Sequence, residues 1–174
     1  MNHTPEPVTA PLILTLKLDA RTFAHLDGLR RAHFPAKLNH LSAHLTLFHH
    51  LPGLERETVE ADLRAAVPHR PLELRITGTR LLGRGVAFEI DSTGLVDLRA
   101  GLARRWAAWL TPQDRQGFRP HVTVQNKVAP EEARALREQL MAGFTPVTAW
   151  GEALLLWRYL GGPWALEAEI AFAP

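Results

Sequence analysis

The chain of 174 residues contains no cysteine, one tyrosine and two methionines. Without a thiol there is no disulfide framework, no thiolate nucleophile, no Cys-rich zinc site and no cysteine-ligated iron–sulfur cluster. The composition suits a reducing compartment, and a cytoplasmic location is expected. Lysine is scarce too: Lys17, Lys37 and Lys127 are the only three, and the other cations are arginines. Arginine's planar fork suits phosphate oxygens. A net charge of +2 with no basic tail nevertheless gives no footprint for non-specific duplex binding. No apolar run approaches the roughly 18 residues of a membrane span, and the short run 12–16 is followed at once by Lys17 and Asp19, a poor signal peptide. Neither a Gly-x-x-x-x-Gly-Lys loop nor a Lys-x-Asp-Gly sequence is present. Lys17-Leu-Asp-Ala20 comes nearest and lacks the glycine, so an ATP-dependent ligase is excluded.

What is present is an ordinary globular composition, 46% hydrophobic and 22% charged. The length favours one domain over 1–174, of two lobes, with residues 1–11 as a flexible lead. Periodicity predicts a strand over 12–18, a helix over 19–33 and an alternating strand over 41–48. A helix over 55–67 and two strands, 72–81 and 86–90, follow. The order then recurs. Leu95, Leu98, Leu102, Trp106 and Trp109 form a helical stripe, with Arg99, Arg104 and Arg105 on the other face. A strand over 120–126, a helix from Pro130 and two strands, 147–159 and 164–172, close the chain. Matching elements lie between about 74 and 78 residues apart, which predicts a duplicated β-α-β-α-β-β unit with halves of about 12–91 and 86–172. The expected fold is α+β and bilobal with pseudo-two-fold symmetry. Two mainly antiparallel sheets would face a central cleft, with helices outside.

His44-Leu-Thr-Leu47 and His121-Val-Thr-Val124 fall on equivalent strands of the two halves. The His-x-Thr pattern is weak alone, and its register within the repeat is what makes it specific. On a strand, residues two apart share a face, so each histidine shares one with its threonine while the apolar neighbours bury the other. Two such strands would present two imidazoles and two hydroxyls to one cleft. One imidazole can activate an attacking hydroxyl or water, the other can protonate the departing oxygen of a phosphodiester, and Thr46 and Thr123 can donate to non-bridging oxygens. Histidine suits both roles near neutral pH, and no metal or other cofactor is required.

These residues, with Phe118-Arg-Pro before the second histidine, resemble the paired His-x-Thr/Ser-hydrophobic signatures of the two-histidine (2H) phosphoesterase superfamily. The closer resemblance is to its 2′-5′ RNA ligase-like and cyclic phosphodiesterase branch. That resemblance implies metal-independent cleavage of 2′,3′-cyclic phosphates or related 2′-linked phosphodiesters, with RNA ends or small nucleotides as partners. Any ligation would be the ATP-independent reversal. It implies His44 as the acid and His121 as the base. A monomer is expected. The alternative reading is a nucleotide- or RNA-binding module of the same fold without turnover.

Accessory candidates follow from position. Arg119, two before His121, could reach a phosphate. Gln125 continues the face of His121 and Thr123, and Phe48 that of His44 and Thr46, so they could touch ribose or base, although Phe48 is better read as core and Gln125 equally as a strand-end hydrogen-bonding residue. Trp157, Tyr159 and Trp164 flank the last hairpin and could wall the cleft. His40, His44, His49 and His50 lie close in sequence, but strict alternation sends His44 and His49 to opposite sides of the strand. No metal site is expected there.

Overall fold

The computed structural model describes residues 8–173. Its strands are β1 (Leu12–Leu18), β2 (Leu45–Leu51), β3 (Leu72–Leu81), β4 (Val86–Asp91), β5 (His121–Gln125), β6 (Val147–Tyr159) and β7 (Trp164–Ala171). Its helices are α1 (Ala20–His33), α2 (Arg56–Ala66), α3 (Thr93–Arg105), α4 (Pro112–Arg115) and α5 (Pro130–Met141). The fold is α+β, and the order of elements repeats as the spacing predicts. The short α4 lies inside what the sequence presents as a Pro-rich loop.

The first helix of each half starts on a side-chain cap that also ties it to a strand. Asp19 accepts from the Thr22 amide and, through its other oxygen, from the Trp150 amide of β6. Ser92 accepts from the Leu95 amide while its hydroxyl donates to the Glu73 carbonyl of β3. Each cap satisfies an orphan helix donor and fixes where the helix leaves the sheet.

The strands run in the order β2-β1-β6-β3-β4-β5, with β7 on the other side of β6, and all the pairings are antiparallel. The two sheets expected from the duplication are thus hydrogen-bonded into one seven-stranded network. The reason is the length of β6. Its 13 residues pair with β1 and β7 in the C-terminal part and with β3 over Val147–Gly151. One face carries the core: Leu12, Leu14 and Leu16 in the first half, and Val86, Phe88 and Ile90 in the second, are all buried. The opposite, inner face carries Thr15 in the first half and Glu89 in the second.

Two boundaries differ from expectation. The second strand begins at Leu45 and not at Leu41, because the amide of Ala43 is taken by the Asp27 carboxylate at 2.8 Å instead of by a neighbouring strand. The expected lead over 1–11 lies partly outside the described residues. Within them, Val8 and Ala10 are fastened by their carbonyls to Arg158, and Pro11 accepts from Tyr159.

Gly85, after the β3–β4 turn, is packed against the end of β5. A Cβ there would sit 2.0 Å from the Gln125 carbonyl oxygen and 2.6 Å from the Asn126 Cα, both backbone atoms that cannot step aside. Gly85→Ala is expected to cost about 2 kcal/mol or more. By contrast Gly28→Ala, inside α1 with nothing within 4 Å, should gain about 0.5–1 kcal/mol. Urea unfolding of the two variants measures both.

Candidate active site

The two motif strands occupy opposite ends of the strand order, yet β2 and β5 come together in space because the sheet curls. An end strand exposes one row of unpaired amides and carbonyls. Here a central carbonyl of each row is met from the other half of the chain. Arg30 of α1 donates to the Thr123 carbonyl of β5 at 3.0 Å and to Asn39 Oδ1 at 2.9 Å. Arg99 of α3 donates to the Leu47 carbonyl of β2 at 3.2 Å and to the Asp114 carbonyl at 2.6 Å. Both arginines are buried. Arg30 lies over Phe34, and Arg99 over Phe48 and Phe118. The Asp114 carboxylate of α4 completes the β2 edge by accepting from the His49 and His50 amides.

His44 and His121 repeat one local geometry. His44 Nδ1 lies 2.8 Å from the Ser42 carbonyl and His121 Nδ1 2.8 Å from the Arg119 carbonyl, in both cases two residues upstream. A carbonyl only accepts, so Nδ1 carries the proton in each ring and Nε2 is left as the nitrogen that can take or give one. The edge of His44 rests on Trp164 at 4.9 Å between ring centroids, with Trp157 next to Trp164, so these aromatics wall the site. A cavity of about 650 Å³ opens beside His44, lined by Thr15, Phe23, Leu155, Trp157 and Trp164 among others.

Both imidazoles are harder to protonate than a free one. Burial is the main cause for His44, partly offset by the Ser42 carbonyl. The charges of Arg30, His121 and His49 add to it, and the pKa is pushed down to about 4. For His121 burial again leads, offset by the Arg119 carbonyl and reinforced by Arg80, His49 and Arg119. The charge of His121 is one of the causes that lower the His44 pKa.

Strict alternation fails one residue after each threonine. Thr46 lies opposite Thr15 while Phe48 lies opposite Leu14, and Thr123 lies opposite Ala87 while Gln125 lies opposite Val86. A β-bulge at Leu47 and another at Val124 therefore turn Phe48 and Gln125 to the core face. This corrects the expected shared face at both positions and agrees with the core reading of Phe48. Phe48 is fully buried against Trp106 and under Arg99, and Gln125 is buried too, so neither shares the face of its histidine and threonine. A second register shift falls between Phe48 and Leu51, so strict alternation does not hold at His49 either, and His49 is among the groups that act on the His44 ring, against the expectation that the two diverge. Thr46 and Thr123 themselves stay half-buried on the inner face.

Arg119 is exposed, and its side chain pairs with Glu89 at 3.0 Å; its carbonyl is what serves the site, by holding His121. Three charged residues escaped the sequence reading, Arg30, Arg80 and Asp114, and a fourth, Arg99, was expected on the outer face of its helix. Arg80 stands in register with Ala87, hence in the row of Thr123 on the inner face, and its charge reaches His121. Arg30 and Arg99 sit where a signal existed. Each continues a buried helical row, Thr22-Leu26-Arg30 and Leu95-Arg99-Leu102, contrary to the placing of Arg99 on the outer face. Among the described residues no group of three or more His, Asp or Glu side chains is placed to hold a metal ion.

The profile of the 2′-5′ RNA ligase superfamily matches residues 18–163. Among solved structures, TT0787 of Thermus thermophilus is 19% identical with a TM-score of 0.65, over 94% of this chain and 98% of that one. E. coli LigT complexed with 3′-AMP is 17% identical with a TM-score of 0.62, over 95% and 99%. LigT complexed with ATP gives 18% and 0.56 over the same shares. At these identities the likeness is one of fold. No curated protein sequence matches the chain.

Replacing Arg99 or Arg30 by methionine keeps much of the volume but strips a buried carbonyl of its donor. Each variant is expected to lose about 1–3 kcal/mol of stability, measured by urea unfolding.

Proposed function

Because the chain belongs to the 2′-5′ RNA ligase superfamily of two-histidine phosphoesterases, we propose that it is a metal-independent phosphodiesterase opening 2′,3′-cyclic phosphates or related 2′-linked phosphodiesters of RNA ends or nucleotides. The observation that carries this reading is the matched pair of imidazoles. Each has Nδ1 committed to a backbone carbonyl and Nε2 free, and one lies within electrostatic reach of the other. Crystal structures of LigT with 3′-AMP, with ATP and with NADP+ support nucleotides as the ligand class.

In this mechanism His121 Nε2 takes a proton from water as its oxygen bonds to phosphorus, and His44 Nε2 gives a proton to the ribose oxygen whose bond to phosphorus breaks. The Thr46 and Thr123 hydroxyls donate to the non-bridging oxygens as charge builds there, and Arg80 lies in the same row to offset it. Burial and the surrounding cations make the His44 imidazolium a strong acid. The negative charge of a bound phosphate is what lets it hold its proton until transfer. With a 5′-hydroxyl in place of water, the same steps join two RNA ends through a 2′-5′ linkage without a nucleoside triphosphate.

His44→Ala and His121→Ala are expected to lower turnover of a 2′,3′-cyclic nucleotide by about a hundred- to ten-thousand-fold while the far-ultraviolet circular dichroism stays unchanged. Retention of normal turnover by either folded variant contradicts the mechanism, and nucleotide binding without turnover in the unaltered protein would favour a binding module. With p-nitrophenolate as leaving group no acid is needed, so His44→Ala should keep most of its rate and His121→Ala should not. The opposite pattern reverses the roles.

The pH profile has a defined sign. The working state holds one proton across the pair, so kcat/KM falls as pH drops through the lower pKa, about 4 for His44. It also falls as pH rises through that of His121, which lies below the ordinary imidazole value. The maximum is expected on the acid side of about pH 6.5, and a maximum above neutrality contradicts it.

A further inference from the structure

His49 takes no part in the acid–base step, yet three observations put it in the site. It lies in β2 at a register shift between Phe48 and Leu51, where its amide leaves the ladder for Asp114. It is among the groups that make both His44 and His121 harder to protonate. Its ring is held by a carboxylate, with Nδ1 at 2.9 Å from Asp114 Oδ1. Asp114 is 1% exposed at its side chain, and His49 44%. Burial works against the Asp114 charge, but hydrogen bonds from the His49 ring and the His49 and His50 amides hold its carboxyl below the usual carboxylate range. Arg99 fixes the same residue through its carbonyl.

The contrast with the motif histidines is chemical. Their Nδ1 protons go to neutral carbonyls, which suits rings that change protonation during a reaction. The Nδ1 of His49 goes to a carboxylate, which forms a charge-assisted hydrogen bond with a cationic ring. The exposed remainder of that ring includes Nε2, which becomes a donor to an anion when a second proton joins the one given to Asp114.

We propose that His49 is an anion-binding residue of this site, its Nε2–H donating to a phosphate oxygen of the substrate while Asp114 holds the ring from behind. The proposal rests on the two-histidine reading for its substrate. A residue of this kind binds ground state and transition state alike, so its loss appears in KM and not in kcat.

The test uses His49→Gln and His49→Arg in the full chain, because the backbone amide of residue 49 still meets Asp114 in both. Kinetics on a 2′,3′-cyclic nucleotide are paired with calorimetric titration of inorganic sulfate, a dianion across the working pH range that needs no turnover to be measured. For His49→Gln, KM and the sulfate Kd are expected to rise about tenfold with kcat within about threefold of the unaltered protein. His49→Arg, which restores a cation, should recover both constants. An unchanged sulfate Kd in folded His49→Gln overturns the proposal, and so does a fall in kcat at constant KM. Were the unaltered protein to turn over no cyclic nucleotide, the phosphodiesterase reading would fall while the sulfate titration still decided the role of His49.

Discussion

The arrangement depends on how two strand edges are closed. A seven-stranded network that ends in β2 and β5 has two rows of unpaired backbone groups, and in this chain each row is met by an arginine from the opposite half. The exchange is reciprocal. Arg30 leaves α1 to hold the Thr123 carbonyl, and Arg99 leaves α3 to hold the Leu47 carbonyl, each bond falling at or beside a bulge. The groups that would otherwise invite edge-to-edge pairing thereby fasten the halves together at the two His-x-Thr segments. Burying two guanidinium groups to do this carries a desolvation cost, which the hydrogen bonds and the aromatic rings beneath Arg30 and Arg99 offset. Those cations also help keep the site poised, since the charge of Arg30 is one of the causes that depress the His44 pKa.

The paired bulges decide which side chains face inward. Without them, alternation would add Phe48 and Gln125 to the motif face; with them, both go to the core. The two halves thus agree through the fifth residue, Phe48 and Gln125, and part company after it. In the first, a carboxylate from α4 has taken hold of the His49 ring. Symmetry supplies the matched pair of imidazoles, and departure from symmetry supplies the surroundings that distinguish one half from the other.

Much of this was legible in the chain. The element order, the repeat spacing and the pairing of His44 with Thr46 and of His121 with Thr123 all follow from periodicities that the local backbone enforces. The bulges were not, since Leu47 and Val124 are ordinary strand residues with no glycine to mark a break. The continuity of the sheet was hidden because whether β6 serves one sheet or bridges two depends on partners far away in sequence. Arg30, Arg99 and Asp114 act across separations of 93, 52 and 65 residues, and no local pattern reports such contacts. For the two arginines one trace did exist: a cation inside an apolar helical row must find a buried partner, and Leu26-Arg30 and Leu95-Arg99 are such rows.

The central claim is that His44 and His121 address one bound phosphate. Titration of histidine-selectively 15N-labelled protein with a nucleoside 3′-monophosphate measures this directly. One equivalent should move the Nε2 resonances of both rings along a single binding curve, while both Nδ1 signals keep the protonated signature set by the Ser42 and Arg119 carbonyls. Movement of one ring alone, or two curves with different dissociation constants, would contradict the account.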